Sequence, residues 1–91
     1  MSTETAEDRI PGAAARDVLE FLAKSIVDEP ESVVIDMEEG RRGDVRLSLR
    51  VSSDDMGKVI GRRGRVAQAI RAVVRAAGAR EGLEVGVDIV D

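Results

Sequence analysis

The sequence predicts an α+β fold in which three helices cover one face of a three-stranded sheet. A helical repeat of apolar residues near the N-terminus, three alternating segments, and a glycine turn between two further helices indicate this fold. The chain of 91 residues fits one small domain. We expect a flexible acidic arm over residues 1–10, which shows no helical or strand period, and a single domain over residues 11–91.

The first helix is predicted to begin near Gly12. Apolar residues at helical spacing form one stripe: Ala15, Val18, Leu19, Leu22 and Ile26. Pro30 ends the helix because the residue before a proline is pushed out of the helical region. Phe21 is the only aromatic residue of the chain, and we interpret it as part of the core rather than as a platform for stacking bases.

Two strands joined by a hairpin loop are predicted to follow. Residues 33–38 and 45–51 alternate apolar and polar side chains, which is the pattern of strands that are buried on one face. Residues 39–44 contain two glycines and form the loop between these strands.

Antiparallel pairing of these strands would bring opposite charges together. Asp36 and Glu38 of the first strand would lie near Arg46 and Arg50 of the second, on the face away from the apolar side chains. We therefore interpret both arginines as cross-strand partners of the carboxylates rather than as ligand contacts.

Two helices separated by a turn are predicted next. Residues 52–55 are two serines and two aspartates, a composition typical of a helix start, and this helix is short because Gly61 follows closely. The next helix runs from Arg65 to about Ala77. Its predicted apolar face holds Val66, Ile70, Val73, Val74 and Ala77. Alternation over residues 83–90 predicts a third strand.

The turn between these helices carries the residues that point to function. Gly61 and Gly64 stand at its ends, so its backbone can approach another chain without a Cβ in the way. The following helix directs its free N–H groups and the positive end of its dipole at the turn. Arg62, Arg63 and Arg65 add positive charge there. This combination predicts a binding site for phosphate groups.

Charge is distributed unevenly along the chain, whose net charge is −4. Residues 56–80 contain seven basic residues and no acidic one, so the rest of the chain carries the other seven basic residues and all 18 acidic ones. A partner responds to the local potential, and the basic segment therefore favours nucleic acid despite the acidic total. The alternative is that these basic residues form only a solvated helix face.

The composition argues against an enzyme. The chain has no cysteine and no histidine, which removes thiolate nucleophiles, zinc–thiolate sites and the commonest general base. The glycines of the turn region match neither the dinucleotide fingerprint nor a P-loop. We expect no cofactor, no metal and no membrane span, and a cytoplasmic location because the acidic N-terminus is unlike a signal peptide.

The order of elements and the turn resemble the K-homology (KH) domain, whose mark is an Ile-Gly-x-x-Gly turn between two helices. Residues 60–64 supply this turn, and the order α-β-β-α-α-β resembles the type II arrangement, which implies a mixed sheet. The run from Gly57 to Arg71 and the later Ala76-Ala77-Gly78 resemble the small single-domain bacterial KH proteins of the KhpA type.

The resemblance implies that the turn clamps the backbone of about four nucleotides of single-stranded RNA. The implied RNA-binding residues are Lys58, Val59, Ile60, Gly61, Arg62, Arg63, Gly64, Arg65, Gln68 and Ile70. Strand 45–51 would border the groove, and loop 39–44 would lie at its rim. Ala67 stands where many KH domains have a large aliphatic residue, and no aromatic is available to stack bases. We therefore expect weak, phosphate-dominated binding with low sequence specificity.

The resemblance also implies partners and a cellular role. Members of the KhpA-like group self-associate and pair with a larger KH-containing protein of the KhpB or Jag type, so a homodimer, a heterodimer or both are expected. The implied role is that of an RNA chaperone and post-transcriptional regulator. The alternative hypothesis is a protein-interaction module in which the same turn surface docks a protein and RNA is incidental.

Overall fold

Three helices and three strands follow one another in the order α-β-β-α-α-β in a computed structural model, which describes residues 10–90. The helices are α1 (Ala13–Ile26), α2 (Met56–Ile60) and α3 (Arg65–Ala79), and the strands are β1 (Val34–Glu39), β2 (Val45–Arg50) and β3 (Val85–Val90). The predicted order and the α+β class are confirmed. The predicted arm, residues 1–10, lies outside the described residues except for Ile10. In the described part, no helix has the length and hydropathy needed to cross a membrane.

The sheet is mixed, as the type II arrangement requires. Its strand order is β1-β2-β3. β1 pairs antiparallel with β2, where Ile35 lies opposite Leu49, and β2 pairs in parallel with β3, where Leu47 lies opposite Val87. β2 is therefore the central strand, while β1 packs against α1 and the edge strand β3 packs against α3.

The hydrophobic core lies between the helices and one face of this sheet. Every second residue of β2 is buried in it: Val45, Leu47 and Leu49. α1 contributes three fully buried residues at a spacing of four: Ala15, Leu19 and Ala23. A leucine buried as completely as Leu47 stabilises the fold by about 1.5–3 kcal/mol relative to an exposed one. The core also takes in buried residues of α2 and α3, which fixes both helices and the turn between them.

Two residues that the sequence places in the core are exposed. The exposed fraction of Phe21 is 71% and that of Val73 is 49%. Phe21 lies two residues beyond the buried Leu19, and two residues turn an α-helix through about 200°, so its side chain points into solvent. The buried stripe of α3 runs through Ala67, Ile70, Val74 and Gly78. Val73 lies one position, about 100° of helix rotation, from the buried Val74, so its side chain is turned out of this stripe. Both predictions were wrong.

The charge pairing on the open face of the sheet also differs from the prediction. Arg46 does lie opposite Glu38 in the register, but its Nη1 donates to Oδ2 of Asp88 on β3 at 2.9 Å. Arg50 lies opposite Val34 rather than a carboxylate. The predicted pairing considered only the hairpin, whereas β2 has a second neighbour that supplies the partner of Arg46.

Candidate nucleic-acid interface

The turn at residues 61–64 has a backbone that few residue types adopt. Three of its four residues have a positive φ: Gly61 at 76°, Arg63 at 59° and Gly64 at 73°. Arg63 is the only non-glycine residue with a positive φ among residues 10–90, and this conformation costs an L-residue about 1–2 kcal/mol. Strain of this kind is concentrated at functional sites, where the surrounding structure holds the residue in place.

The two glycines of the turn meet different requirements. A Cβ on Gly61 would lie 2.3 Å from Cγ2 of Val66 and 2.9 Å from the backbone nitrogen of the same residue, so the turn packs directly on the start of α3. A Cβ on Gly64 would have no atom within 4 Å, and only its positive φ requires glycine. The turn is therefore closed on the side that faces Val66 and open beside Gly64.

Two hydrogen bonds close the backbone of the turn at the start of α3. A single 3₁₀ turn, Arg62–Gly64, precedes α3. The N–H groups of Gly64 and Arg65 donate to the carbonyls of Gly61 and Arg62, the first at 3.1 Å. Arg63 has left-handed backbone angles (φ 59°, ψ 25°), so a kink separates the 3₁₀ turn from α3, which begins at Arg65 as the sequence predicted. The first N–H groups of a helix have no partner within it, and those of α3 lie next to the glycine turn.

The arginines of the turn are available to a ligand. Arg62, Arg63 and Arg65 are exposed. The ion pairs within residues 10–90 use other cations, namely Arg16, Lys24, Arg46 and Lys58. The three guanidinium groups of the turn therefore have no carboxylate partner among the described residues, as a phosphate-binding surface requires.

Lys58 is also a predicted RNA-binding residue, but its ammonium group is already engaged. Its Nζ lies 2.6 Å from Oδ2 of Asp28 and 3.4 Å from Oδ1 of Asp55. The hydrogen bond to Asp28 raises the pKa of Lys58, and the contact with Asp55 acts in the same direction. The charge of this lysine is balanced within the chain, so it differs from the arginines of the turn.

Asp55 is a structural residue that the sequence did not identify as such. Its side chain is buried, and its two oxygens accept the N–H groups of Asp28 at 3.1 Å and Glu29 at 3.0 Å. The hydroxyl of Ser52 donates to the same carboxylate at 3.2 Å. Burial raises the pKa of Asp55, but these hydrogen bonds outweigh burial and the pKa lies below its usual value. Asp55 therefore fastens the start of α2 to the segment that follows α1.

The remaining predicted site residues separate into exposed and buried groups. Gln68 is exposed, and the exposed fraction of Ile60 is 39%. Val59 and Ile70 are buried in the core, where they can support the turn but cannot touch a ligand. Arg71 is partly buried, and its Nε donates to the carbonyl of Val87 at 3.1 Å, which ties α3 to the edge strand.

The structure corrects the predicted borders of the groove. β2 is the central strand, so β3 is the strand that lies beside α3. Loop 39–44 lies at the beginning of β2, whereas α2 and the turn follow the end of β2. The loop and the turn are therefore separated by the length of a six-residue strand, roughly 17–20 Å. Arg41 and Arg42 thus lie at the end of the sheet away from the turn, and they do not rim it.

The sequence matches a known family over most of its length. A profile of the family described as "KhpA/KhpB, KH domain" matches residues 16–89. A relative named RNA-binding protein KhpA from Clostridium perfringens is 47% identical over 75 residues, which are 82% of this chain and 99% of the relative. A relative of the same name from Streptomyces coelicolor is 52% identical over 75 residues, which are 82% of this chain and 90% of the relative.

A solved structure has a similar fold. It is a crystal structure of Era in complex with MgGDPNP and a segment of 16S ribosomal RNA, with a TM-score of 0.57 and 19% sequence identity. The match covers 88% of this chain and 31% of the Era chain, so this chain spans about a third of the length of that protein. At this level of identity the likeness concerns the fold alone.

Proposed function

Because the chain belongs to the KhpA/KhpB KH-domain family, we propose that it binds single-stranded RNA through the turn at residues 61–64. The observation that carries this proposal is that the arginines of the turn are exposed and form no ion pair with a carboxylate of residues 10–90. A guanidinium without an internal partner is free to make charge-assisted hydrogen bonds to phosphate oxygens. The names of the relatives support the same ligand.

The backbone of the turn supports phosphate binding independently of the side chains. The N–H groups of the first turn of α3 lie next to the glycine turn, at the start of a helix of 15 residues. The positive end of this helix favours an anion at its start. We propose that these amides and the open space beside Gly64 receive consecutive phosphates of a segment of about four nucleotides.

Low sequence specificity follows from the side chains near the turn. The only aromatic residue, Phe21, points into solvent from α1 and does not belong to the turn or its flanking helices. Bases therefore lose the stacking contacts that contribute about 1–3 kcal/mol each in other single-strand binders. If two to four phosphates are neutralised, the logarithm of the affinity should fall with the logarithm of salt at a slope of roughly −1.5 to −3.

We further propose that the protein acts as an RNA chaperone or post-transcriptional regulator, and that it is a binding protein rather than an enzyme. Phosphate-dominated binding of many sequences suits this role because it does not restrict the protein to one transcript. The family description names KhpB beside KhpA, which supports a larger KH-containing partner in addition to self-association. RNA as the ligand makes the cytoplasm the expected location.

Charge reversal in the turn tests the RNA-binding proposal. The variant R62D/R63D should bind a fluorescent 12-nucleotide single-stranded RNA at least about thirtyfold more weakly, because two charge-assisted contacts are replaced by repulsion. The matched control is R41D/R42D, which makes the same change of charge in the hairpin loop and should alter affinity less than about threefold. Circular dichroism checks that both variants fold. Unchanged affinity in folded R62D/R63D protein would refute the proposal.

A second candidate function is favoured by exposed apolar side chains near the same surface. Ile60 and Val73 are 39% and 49% exposed. The exposed side of α3 also carries small alanines, among them Ala69, Ala72 and Ala76. Such a surface suits close packing against another protein. Sedimentation equilibrium of R62D/R63D separates the two functions: loss of self-association with intact RNA binding would favour the docking module.

A further inference from the structure

Phe21 is the most exposed large apolar side chain among residues 10–90, with an exposed fraction of 71%. It belongs to the middle of α1 and follows Asp17 by four residues, so the two side chains share one face of the helix. Single exposed apolar residues are common on protein surfaces, and Phe21 alone does not indicate a docking site. The residues beside it on α3 supply the further observations.

Val73 is exposed on the flank of α3 that faces α1. Arg71 marks the opposite flank, because its Nε donates to the carbonyl of Val87 on β3. Val73 lies seven residues after Val66 and four before Ala77, and these two residues are partly buried against the core. α1 and α3 pack against each other, so the exposed part of Val73 borders the groove between these helices on the side away from the sheet.

The two helices run antiparallel, and this direction places Phe21 beside Val73. α1 begins next to the end of α3, where the N–H group of Gly12 donates to Oε1 of Glu81 at 3.5 Å. Phe21 lies nine residues after Gly12, and Val73 lies eight residues before Glu81. Since both helices rise about 1.5 Å per residue, the two apolar side chains stand at nearly the same height along the groove.

Opposite charges without internal partners stand on the same surface. Asp17 of α1 and Arg80 at the end of α3 are exposed, and neither forms an ion pair within residues 10–90. Asp17 lies five residues after Gly12, at the height of Ala76. The side chain of Arg80 leans toward the N-terminus of α3 and reaches the same height. Beside the apolar pair, the groove therefore carries a negative charge on α1 and a positive charge on α3.

We propose that a second copy of this chain docks on the groove between α1 and α3. A twofold axis parallel to the helices places α1 of each copy over α3 of the other. Phe21 then packs against the partner's Val73, and Asp17 faces the partner's Arg80, so both contacts occur twice. An arrangement with α1 over α1 makes neither contact.

This inference rests on the self-association proposed above and names the surface that forms it. The contact is centred on Val73, which lies roughly 13 Å along α3 from Gly64. Self-association and RNA binding therefore use different residues, and each can be removed without the other.

Replacement of Phe21 tests the docking surface. F21A should weaken self-association in sedimentation equilibrium at least about thirtyfold, because it removes the central apolar contact of the interface. Its circular dichroism and its midpoint of thermal unfolding should match those of the natural protein, since the side chain is exposed. The matched control is V34A, which shortens an apolar side chain that is 47% exposed on the open face of the sheet and should leave self-association unchanged.

Charge reversal tests how the two copies are arranged. D17R and R80D should each weaken self-association about tenfold, because each variant sets like charges against each other twice. An equimolar mixture of the two variants should form a heterodimer that is as stable as the natural dimer within about threefold, since the arginines of one variant then face the aspartates of the other. A mixture that stays monomeric would refute the arrangement.

The RNA-binding proposal and this inference can fail separately. R62D/R63D should self-associate as the natural protein does, and F21A should bind a fluorescent 12-nucleotide single-stranded RNA with natural affinity. Self-association that F21A leaves unchanged, or that R62D/R63D abolishes in folded protein, would overturn the proposed surface. Natural protein that sediments as a monomer up to millimolar concentration would overturn it as well.

Discussion

The tetrapeptide Gly-Arg-Arg-Gly occurs twice in this chain, and the two copies differ in backbone and in surroundings. Residues 40–43 form the tip of the hairpin between β1 and β2, whereas residues 61–64 form the turn between α2 and α3. The first copy is flanked by Glu38, Glu39 and Asp44. The second copy lies in a segment of 25 residues, 56–80, that contains no acidic residue.

The two copies differ in their backbone conformation and hydrogen bonding. In the hairpin the N–H group of Gly40 donates to the carbonyl of Asp44 at 2.8 Å, and within this copy only Gly43 has a positive φ. In the turn a positive φ occurs at three residues, and the turn leads into the N-terminal, positive end of the 15-residue helix α3. Four identical residues therefore make a closed hairpin tip in one place and the proposed phosphate-binding turn in the other. The segment after the tetrapeptide, a strand or a long helix, decides between these two structures.

The largest expected difference between the copies is the loss of stability when a glycine is replaced. A Cβ at Gly61 overlaps a neighbouring residue, whereas a Cβ at Gly43 does not. G61A should destabilise the fold by about 2–4 kcal/mol, because it combines an unfavourable φ with a Cβ that overlaps Val66. G43A should cost only about 1 kcal/mol, because its φ is unfavourable but a Cβ there would meet nothing within 4 Å. Urea unfolding measures both values. Equal losses would contradict the close packing of the turn on α3.

The turn but not the hairpin should depend on the carboxylate of Asp55. The pKa of Asp55 is lower in the folded chain than the ordinary value of 3.8, so its stabilisation is fully present above about pH 4 and is lost as the pH falls through the lower, folded pKa. At pH 7, D55N should lower the midpoint of thermal unfolding by roughly 5 °C or more, because it leaves the amides of Asp28 and Glu29 without a charged acceptor.

The neighbouring D54N is the matched control, since Asp54 is exposed and should be dispensable. Thermal unfolding followed between pH 7 and pH 3 gives the comparison. The natural protein and D54N should converge on D55N as the pH falls. If D55N remained as stable as D54N at pH 7, the carboxylate would not be fastening α2.

A smaller change in RNA affinity is expected from freeing Lys58, whose ammonium group forms an ion pair with Asp28. D28N removes the nearest carboxylate of Lys58 and frees part of its charge for RNA. Affinity for single-stranded RNA should rise about two- to threefold, and the salt dependence should steepen by roughly 0.7 if one more phosphate is neutralised. D36N changes the net charge equally on the open face of the sheet and should have less effect. Adding K58M to D28N should cancel the gain, and a gain that persisted would exclude Lys58 as its source.

Much of the fold follows from local patterns in the sequence. Alternation with period two predicted all three strands, and helical spacing on either side of the two glycines predicted two helices joined by a turn. These features depend on neighbours within a few residues, so the order of residues along the chain is enough to reveal them. The wrong assignments of Phe21 and Val73 came from taking too wide a helical stripe as buried: Phe21 lies two positions from the buried Leu19 and Val73 one position from the buried Val74, which turns both side chains outward.

The features that the sequence did not reveal depend on contacts between distant segments. Asp55 accepts hydrogen bonds from residues 26 and 27 positions earlier, and no local pattern distinguishes it from Asp54. Arg46 finds Asp88 on a strand 42 positions later. The border of the groove likewise depends on β3 pairing with β2, which follows from the parallel topology and not from any residue in either strand. These contacts become visible only when the elements are assembled.

A titration of isotopically labelled protein with single-stranded RNA, followed by backbone amide NMR, tests the central claim most directly because it observes both copies of the tetrapeptide in one spectrum. The signals of residues 61–66 should shift progressively with RNA and should return when the salt concentration is raised. The signals of residues 40–43 should stay in place. Equal shifts in both copies, or shifts confined to residues 40–43, would show that arginines alone attract the RNA and would contradict a site built by the turn and the start of α3.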